Sequence, residues 1–253
     1  FHYDLKSGQP RIAAPGFLHA LNVLQRLQAC RSAEPADSPE EAFRAGRAVL
    51  CLTDAPWVKV FQKQPALHDK VGVCRVPGGE CYFEFDTGKP QATPKGNRVP
   101  YLGGAGWLAV VPRSSAHPEA AFDLLVDLSG PKTSTQIFLG SNGLGGPIRT
   151  EHLYRERWDS FDLDEQSALM LRQALQETLL HSGLKNPALC LRTPHQATHR
   201  AVLVQEVRAA LRKNTDADEA LRKVAEAWRR LDREQGLEAH KADYRRSLGL
   251  LAK

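Results

Sequence analysis

Two histidines, His195 and His199, are four residues apart, the spacing that places two imidazoles on one face of a helix to bind Zn²⁺. In metalloproteases with this spacing, a glutamate follows the first histidine and acts as the general base, but here that residue is Gln196. The sequence suggests no third ligand. The pair therefore does not predict a metalloprotease, and we expect no resident metal ion and no cofactor.

Glycine-rich segments invite a phosphate-binding interpretation, which the details exclude. The segment 130–133 (Gly-Pro-Lys-Thr) lacks the adjacent Gly-Lys-Thr of a P-loop, and its proline interrupts the run of backbone amides. The segment 103–106 (Gly-Gly-Ala-Gly) precedes a predicted strand, whereas a dinucleotide fingerprint follows one. No Gly-x-Ser-x-Gly motif is present to anchor a hydrolase triad. No credible catalytic set emerges, so the sequence predicts a protein that is not an enzyme.

The composition of the chain bears on which classes of protein remain. The chain has 253 residues, 42% of them apolar and 25% charged, which is the balance of an ordinary globular protein. The net charge is +5, but the basic residues between Arg222 and Arg246 alternate with acidic ones, as on a solvated helix face. We therefore expect no nucleic-acid partner. No run of about 18 apolar residues indicates a membrane span, and the first residues lack the features of an export signal.

The five cysteines match no paired zinc-binding pattern. Cys74 and Cys81 flank the turn-forming segment 75–80 (Arg-Val-Pro-Gly-Gly-Glu), which would bring them together as a hairpin clip. In an oxidising compartment we expect these two to form a disulfide, whereas in the cytosol all five would be buried thiols.

The periodicity of apolar residues predicts an α/β chain with a helix-rich C-terminal part. Short buried strands are predicted at 48–52, 71–74 and 108–111, and a long surface loop with room for a hairpin at 77–100. Capping residues and helical spacing predict helices that begin near Pro15, Ser38, Val58, His117, Lys132, Asp162, His195, Asp216 and Leu237.

Several residues next to the predicted strands suit a small polar ligand. Trp57 and Trp107 lie beside strand ends, and the backbone at Gly103 and Gly104 can approach a ligand closely. Asp54 can accept hydrogen bonds from hydroxyl groups. The alternative for Trp57 is that it fills the core.

Five motifs occur in the order found in one family. They are the segments 43–50 (Phe-Arg-Ala-Gly-Arg-Ala-Val-Leu) and 54–57 (Asp-Ala-Pro-Trp), the strand-and-turn 71–79, the Gly-Gly segment 102–110 with the helix start 117–122, and the segment 218–221 (Asp-Glu-Ala-Leu) with Trp228. In this order they resemble the C-terminal part of an extracellular solute-binding protein of ABC importers, in the maltose-binding-protein-like, carbohydrate-binding group.

The resemblance implies a type II periplasmic-binding-protein-like fold, of which this chain would supply the C-terminal lobe and a crossing segment. Residues 1–102 and 151–253 would form the C-terminal lobe, and 103–150 would cross the hinge and complete the N-terminal lobe. Family members are longer, and the missing N-terminal half would come from the same protein or a second chain. Without it, the crossing segment should expose a strand edge and an apolar helix face.

The resemblance also implies roles for the candidate ligand-binding residues. Trp57 would stack on the ligand, while Asp54 and the backbone of Gly103 and Gly104 would form hydrogen bonds. Arg149 would contact the ligand at its edge, and Trp107 would lie near it. The family places aromatic residues on the helix after position 194, where this chain has His195, Gln196 and His199, so its ligand would be more polar or anionic than maltose. The alternative is that these are solvated helix residues.

The function that the resemblance implies is capture of a solute, which we expect to be a carbohydrate, by a monomeric receptor of an ABC import system. The receptor would be periplasmic or extracellular, with a membrane anchor in an absent N-terminus as one option, and would dock on an ABC permease. The alternative is that the same fold serves as a sensory or scaffold module fused to another domain.

Overall fold

The computed structural model describes residues 2–30, 37–97, 109–139, 146–154, 158, 163–180 and 190–250. The elements in chain order are α1 (Pro15–Ala29), α2 (Pro39–Arg44), α3 (Trp57–Gln62), β1 (Gly79–Phe83), β2 (Pro90–Asn97), α4 (Pro118–Ser129), α5 (Pro131–Leu139), a 3₁₀ turn (Thr150–Leu153), α6 (Glu165–Leu179), α7 (Gln196–Leu211), α8 (Ala217–Glu234) and α9 (Leu237–Ser247). The chain divides into two compact units. Unit 1 comprises Phe1–Arg31, Gly78–Asn97 and Leu189–Lys253, and unit 2 comprises Ser32–Pro77 and Arg98–Ala188.

Helix α8 supplies most of the core of unit 1. The Asp216 side chain accepts a hydrogen bond from the backbone N–H of Asp218 and caps the helix. One face of α8 is apolar at helical spacing, and α1 and α7 pack on it. The buried residues of this face are Ala220, Leu221, Val224, Ala225 and Trp228. Three residues from the ends of unit 1, Tyr3, Ile12 and Tyr244, complete the same cluster.

The predicted surface loop contains a hairpin. Strands β1 and β2 pair antiparallel, with an irregularity between Gly79 and Cys81. The connecting turn is closed by hydrogen bonds between Glu84 and Lys89 and between Gly88 and Glu84, both 2.9 Å. Gly88 has φ +66°, which a residue with a side chain rarely adopts. The hairpin that the sequence allowed in this region is therefore present.

Unit 2 has a smaller core formed by α3, α5 and α6. Its buried apolar residues are Val58, Phe138, Trp158, Ala168 and Leu171. Polar side chains also join the elements: Gln62 donates to the Ser167 hydroxyl at 2.7 Å, and that hydroxyl donates to the Val71 carbonyl at 3.1 Å. These bonds compensate for burying polar groups beside the apolar cluster.

The strands predicted at 48–52 and 71–74 do not form, and residues 109–111 of the third predicted strand are not in a strand either. Val49, Leu50 and Leu52 are 92%, 89% and 75% exposed. A strand needs a neighbouring strand to pair with its backbone N–H and C=O groups, and no described strand pairs with these segments. The prediction of strands is therefore wrong here, although the apolar composition that suggested them is real.

Helix α4 forms where the sequence predicted a helix, but none of its residues is buried. Its apolar residues Phe122, Leu124, Val126 and Leu128 are between 40% and 61% exposed. Apolar residues are therefore exposed in this segment, as expected. Phe122 and Val126 lie on one side of the helix and Leu124 and Leu128 on the other, so the exposed residues do not form a single face. A helix with apolar residues on two sides normally packs against other elements.

Helices and strands both occur, so the broad α/β class is confirmed, whereas the type II architecture stays a prediction. The predicted division into residues 1–102, 103–150 and 151–253 stays a prediction, since the first boundary lies outside the described residues and the second lies within unit 2. None of the described helices is both long and apolar enough to cross a membrane.

Candidate functional site

Three of the predicted ligand-binding residues lie in unit 2. Trp57 begins α3, stacks on Phe61 with ring centroids 5.9 Å apart, and leaves 37% of its surface exposed. Asp54 is exposed, and its backbone carbonyl accepts the Trp57 N–H at 3.1 Å. Arg149 is half-buried and donates to Glu151 at 2.8 Å. The remaining candidates of this region, Gly103, Gly104 and Trp107, lie outside the described residues.

The other three candidates lie at the start of α7 in unit 1. His195 and Gln196 are exposed, whereas His199 is 0% exposed. Both ring nitrogens of His199 are within hydrogen-bond distance of a partner inside unit 1. Contact of these three residues with a solute stays a prediction. His199 belongs to the interior of unit 1, and the two residues before it belong to its surface.

The five cysteines are free thiols in this structure. Cys81 lies in β1, which pairs with β2, so the segment 75–80 is not the turn of that hairpin. The disulfide between Cys74 and Cys81 therefore stays a prediction.

The chemically densest site of unit 1 is a buried cluster of two histidines and an aspartate, here called the His–Asp–His cluster: His199, Asp232 and His240. They are 0%, 1% and 4% exposed. The Nε2 atom of His199 lies 2.9 Å from Oδ1 of Asp232, and Nδ1 of His240 lies 3.4 Å from the same oxygen. The Tyr3 hydroxyl also donates to this oxygen, at 3.3 Å. Three groups from three different segments thus converge on one carboxylate oxygen.

Aromatic rings enclose the His–Asp–His cluster. Tyr3 stacks on Trp228 at 5.7 Å between centroids and lies 4.6 Å from the ring of His240. The edge of Trp228 meets His199 at 5.3 Å, and the Trp228 indole N–H donates to the backbone carbonyl of His199 at 3.0 Å. The Tyr244 hydroxyl accepts the backbone N–H of His2 at 3.0 Å. These contacts exclude water and fix the orientation of the His199 ring.

The hydrogen bonds of His199 determine its protonation. Its Nδ1 lies 2.9 Å from the His195 carbonyl, which can only accept, so Nδ1 carries a proton. Its Nε2 faces an oxygen of Asp232, so an imidazolium donating on both sides satisfies this geometry. Burial opposes this charge, but the bonds to Asp232 and to the His195 carbonyl outweigh it and raise the pKa of His199.

The pKa of His240 is shifted in the opposite direction from that of His199, because burial lowers it below the ordinary value. The charged and titratable groups that act on it are Asp232, His199, Asp243 and His195. Asp232 and Asp243 raise the pKa, and the two histidines lower it further.

Burial raises the pKa of Tyr3 well above its usual range, and the neighbouring Asp232 raises it further, so the phenol stays a hydrogen-bond donor.

In the metal-free protein, the two histidines are expected to affect stability in opposite pH ranges. A lowered folded-state pKa of His240 means that its contribution is present above about pH 6.5 and is lost as the pH falls. A raised pKa of His199 means that its contribution is present below about pH 6.5 and is lost as the pH rises through the folded-state pKa. Together, the two histidines favour a maximum of the free energy of unfolding near pH 6.5.

Urea unfolding checks this expectation. The wild type and His240→Gln are compared between about pH 5 and pH 8 with a chelator present. Relative to the variant, the wild type should lose free energy of unfolding as the pH falls below about 6.5. A difference between the two proteins that does not change with pH would refute the assignment of His240 as buried and neutral.

The sequence identified His199 but not its partners. The structure joins His199 to Asp232 and His240, whereas His195 contributes only its backbone carbonyl. One signal for Asp232 was available, because it is four residues after Trp228 and so lies on the apolar face of α8. A carboxylate on a buried face needs a partner, which would have prompted a search for one. No pattern in the sequence indicates His240.

The chain was compared with known proteins. No protein-family model matches it, and no curated protein matches it either.

Proposed function

We propose that this chain is part of the solute-binding component of an ABC import system, exported to the periplasm or the cell exterior, and that its ligand is a carbohydrate. The observation that carries the proposal is the order of the five motifs between residues 43 and 228, which resembles that of the maltose-binding-protein-like group. The ligand would be held between two lobes of a type II binding-protein fold. Binding would shift the population toward a closed form, which an ABC permease recognises.

The uncovered apolar residues of helix α4 support this proposal. Phe122 and Leu124 of α4 are exposed. In the proposed fold, α4 belongs to the crossing segment 103–150, which completes the N-terminal lobe. Single exposed apolar residues are ordinary on a protein surface, but a whole helix without a buried residue is not. The missing cover would be the N-terminal half of the binding protein.

The environment of Trp57 also suits the proposal. Phe61 supports one side of the indole, and Phe43 packs on Phe61 with centroids 4.8 Å apart. Ring packing holds the indole in place while 37% of the residue stays exposed. A fixed, partly exposed aromatic face is suited to stacking on the apolar face of a sugar ring. Asp54, three residues earlier, is exposed and offers a carboxylate to ligand hydroxyls.

Replacing Trp57 with alanine tests the stacking role, using the product of the complete reading frame and a sugar for which saturable binding has been found. We expect the affinity to fall at least about 10-fold, equivalent to about 1.4 kcal/mol, because the stacking surface is lost. Isothermal titration calorimetry measures the change. Trp57→Phe, which keeps an aromatic face, should lose less.

Tyr154→Ala is the matched control, since Tyr154 is an aromatic residue of the same unit that is 53% exposed and has no proposed ligand role. It should leave the affinity unchanged. If Trp57→Ala binds the sugar as tightly as the wild type does, Trp57 is not part of the ligand site.

A further inference from the structure

We propose that the His–Asp–His cluster of unit 1 binds one divalent transition-metal ion, for which Zn²⁺ is the best match. The proposal is independent of solute binding. His199, Asp232 and His240 each offer one ligand atom, and these atoms lie within 4.8 Å of one another. Two imidazole nitrogens and one carboxylate oxygen form a donor set typical of Zn²⁺, with a position left for a fourth ligand.

The distances in the cluster are close to those of a coordination shell. Ligand atoms about 2.1 Å from a tetrahedral Zn²⁺ ion lie about 3.4 Å from each other. His240 Nδ1 is 3.4 Å from Asp232 Oδ1, and His199 Nε2 is 2.9 Å from the same oxygen. Binding the ion would require separating the second pair by about half an ångström. The two histidine nitrogens, which lie within 4.8 Å of each other, would also have to reach the same spacing.

The hydrogen bond on the far side of the His199 ring is the one that metal-binding histidines usually have. Its Nδ1–H donates to the His195 carbonyl at 2.9 Å, which leaves Nε2 as the ligand atom directed at Asp232. Such a bond fixes the tautomer and the ring orientation. With Nδ1 protonated, a positive charge must lie between Nε2 and the carboxylate. That charge is either the proton of an imidazolium or a bound metal ion.

The buried carboxylate of the cluster points independently to an additional ligand. Oδ2 of Asp232 and Nε2 of His240 are buried and have no hydrogen-bond partner among the described residues. The contacts that the described residues make with the carboxylate fall on Oδ1, so none of them compensates the desolvation of Oδ2. A buried polar atom without a partner is uncommon in native proteins. A metal ion bound by both oxygens of this carboxylate would compensate Oδ2. Nε2 of His240 is not the nitrogen that faces Asp232, so the ion would leave it as it is.

A surface pocket lies on one side of the cluster. Asp232 borders a surface pocket of unit 1 whose other lining residues are Gly8, Gln9, Pro10, Arg229, Arg233 and Leu237. The two arginines oppose the approach of a cation, so we expect binding to be slower and weaker than at an open acidic site.

Isothermal titration of the chelator-treated protein with Zn²⁺ alone tests the proposal. One ion should bind per chain, and it should raise the thermal unfolding midpoint because it binds the folded state. His240→Gln should weaken binding more than about 100-fold, since losing a ligand exceeds the effect of losing an outer partner. His195→Gln and His68→Gln should bind as the wild type does. They are the matched controls: His195 contributes only its backbone to the cluster, and the His68 side chain is 62% exposed.

A second measurement keeps the test decisive if His240→Gln does not fold. One equivalent of Co²⁺ added to the wild type should give the visible absorption bands of tetrahedral nitrogen and oxygen coordination, and Zn²⁺ should abolish them. The proposal is overturned if the folded wild type shows no saturable binding or no such bands. It is also overturned if His240→Gln binds as tightly as the wild type, or if His195→Gln abolishes binding, which would assign the ion to the side chains of His195 and His199 instead.

Discussion

Replacing Trp228 with alanine is expected to lower the free energy of unfolding by about 3–5 kcal/mol. Trp228 is 1% exposed and lies at the centre of the larger core. Its removal leaves a cavity beside the stacked ring of Tyr3 and the edge of His199. It also removes the donor that satisfies the buried carbonyl of His199. Urea unfolding followed by circular dichroism measures the loss.

Trp57→Ala is the matched control, since it deletes the same side chain from a position that is 37% exposed. We expect it to cost about 1 kcal/mol or less, because most surface substitutions change stability little. Equal destabilisation of the two variants would contradict the assignment of Trp228 to a tightly packed core.

Replacing Asp232 with alanine is the second change with a large expected effect, about 3–5 kcal/mol in metal-free protein. Asp232 accepts from Tyr3 and pairs with His199 and His240. Without it, the buried imidazolium of His199 has no counter-charge and must lose a proton or remain uncompensated. Asp232→Asn preserves the shape and removes only the charge, so it should be destabilised by less than the alanine variant.

Asp218→Ala supplies the control for Asp232, since it removes a carboxylate of the same helix that pairs with Arg222 at the surface. A surface pair of this kind contributes about 0.3–0.5 kcal/mol. Both variants are compared by urea unfolding with a chelator present. Equal losses would mean that the buried cluster contributes no more than a surface ion pair.

Much of the helical part of the fold could be predicted from the sequence. Helices such as α1 and α8 have apolar residues at helical spacing and begin at a proline or a capping aspartate, and these signals are local. The prediction of a strand at 48–52 was wrong because strand formation does not depend on local signals alone. Its composition is that of a buried strand, but a strand forms only with a partner, and composition carries no information about the partner.

The candidate sites also differ in whether a local sequence pattern could identify them. The spacing of His195 and His199 was visible, but the cluster that formed takes only the second histidine. Its other members, Asp232 and His240, come from the end of α8 and from α9, and their meeting depends on how the helices pack. Such packing is set by contacts between elements, which no local pattern encodes. Trp57, by contrast, was singled out from a local motif, and it is partly exposed. Its role in ligand binding stays a prediction.

Titration of the product of the complete reading frame with neutral and acidic mono- and oligosaccharides tests the proposed function most directly. Tryptophan fluorescence reports binding, and the sugar is recovered afterwards and analysed for chemical change. The proposal predicts saturation at one site per chain by at least one sugar and recovery of that sugar unaltered. Absence of saturation across the panel would contradict carbohydrate binding, and conversion of the sugar into a product would contradict a receptor that only binds.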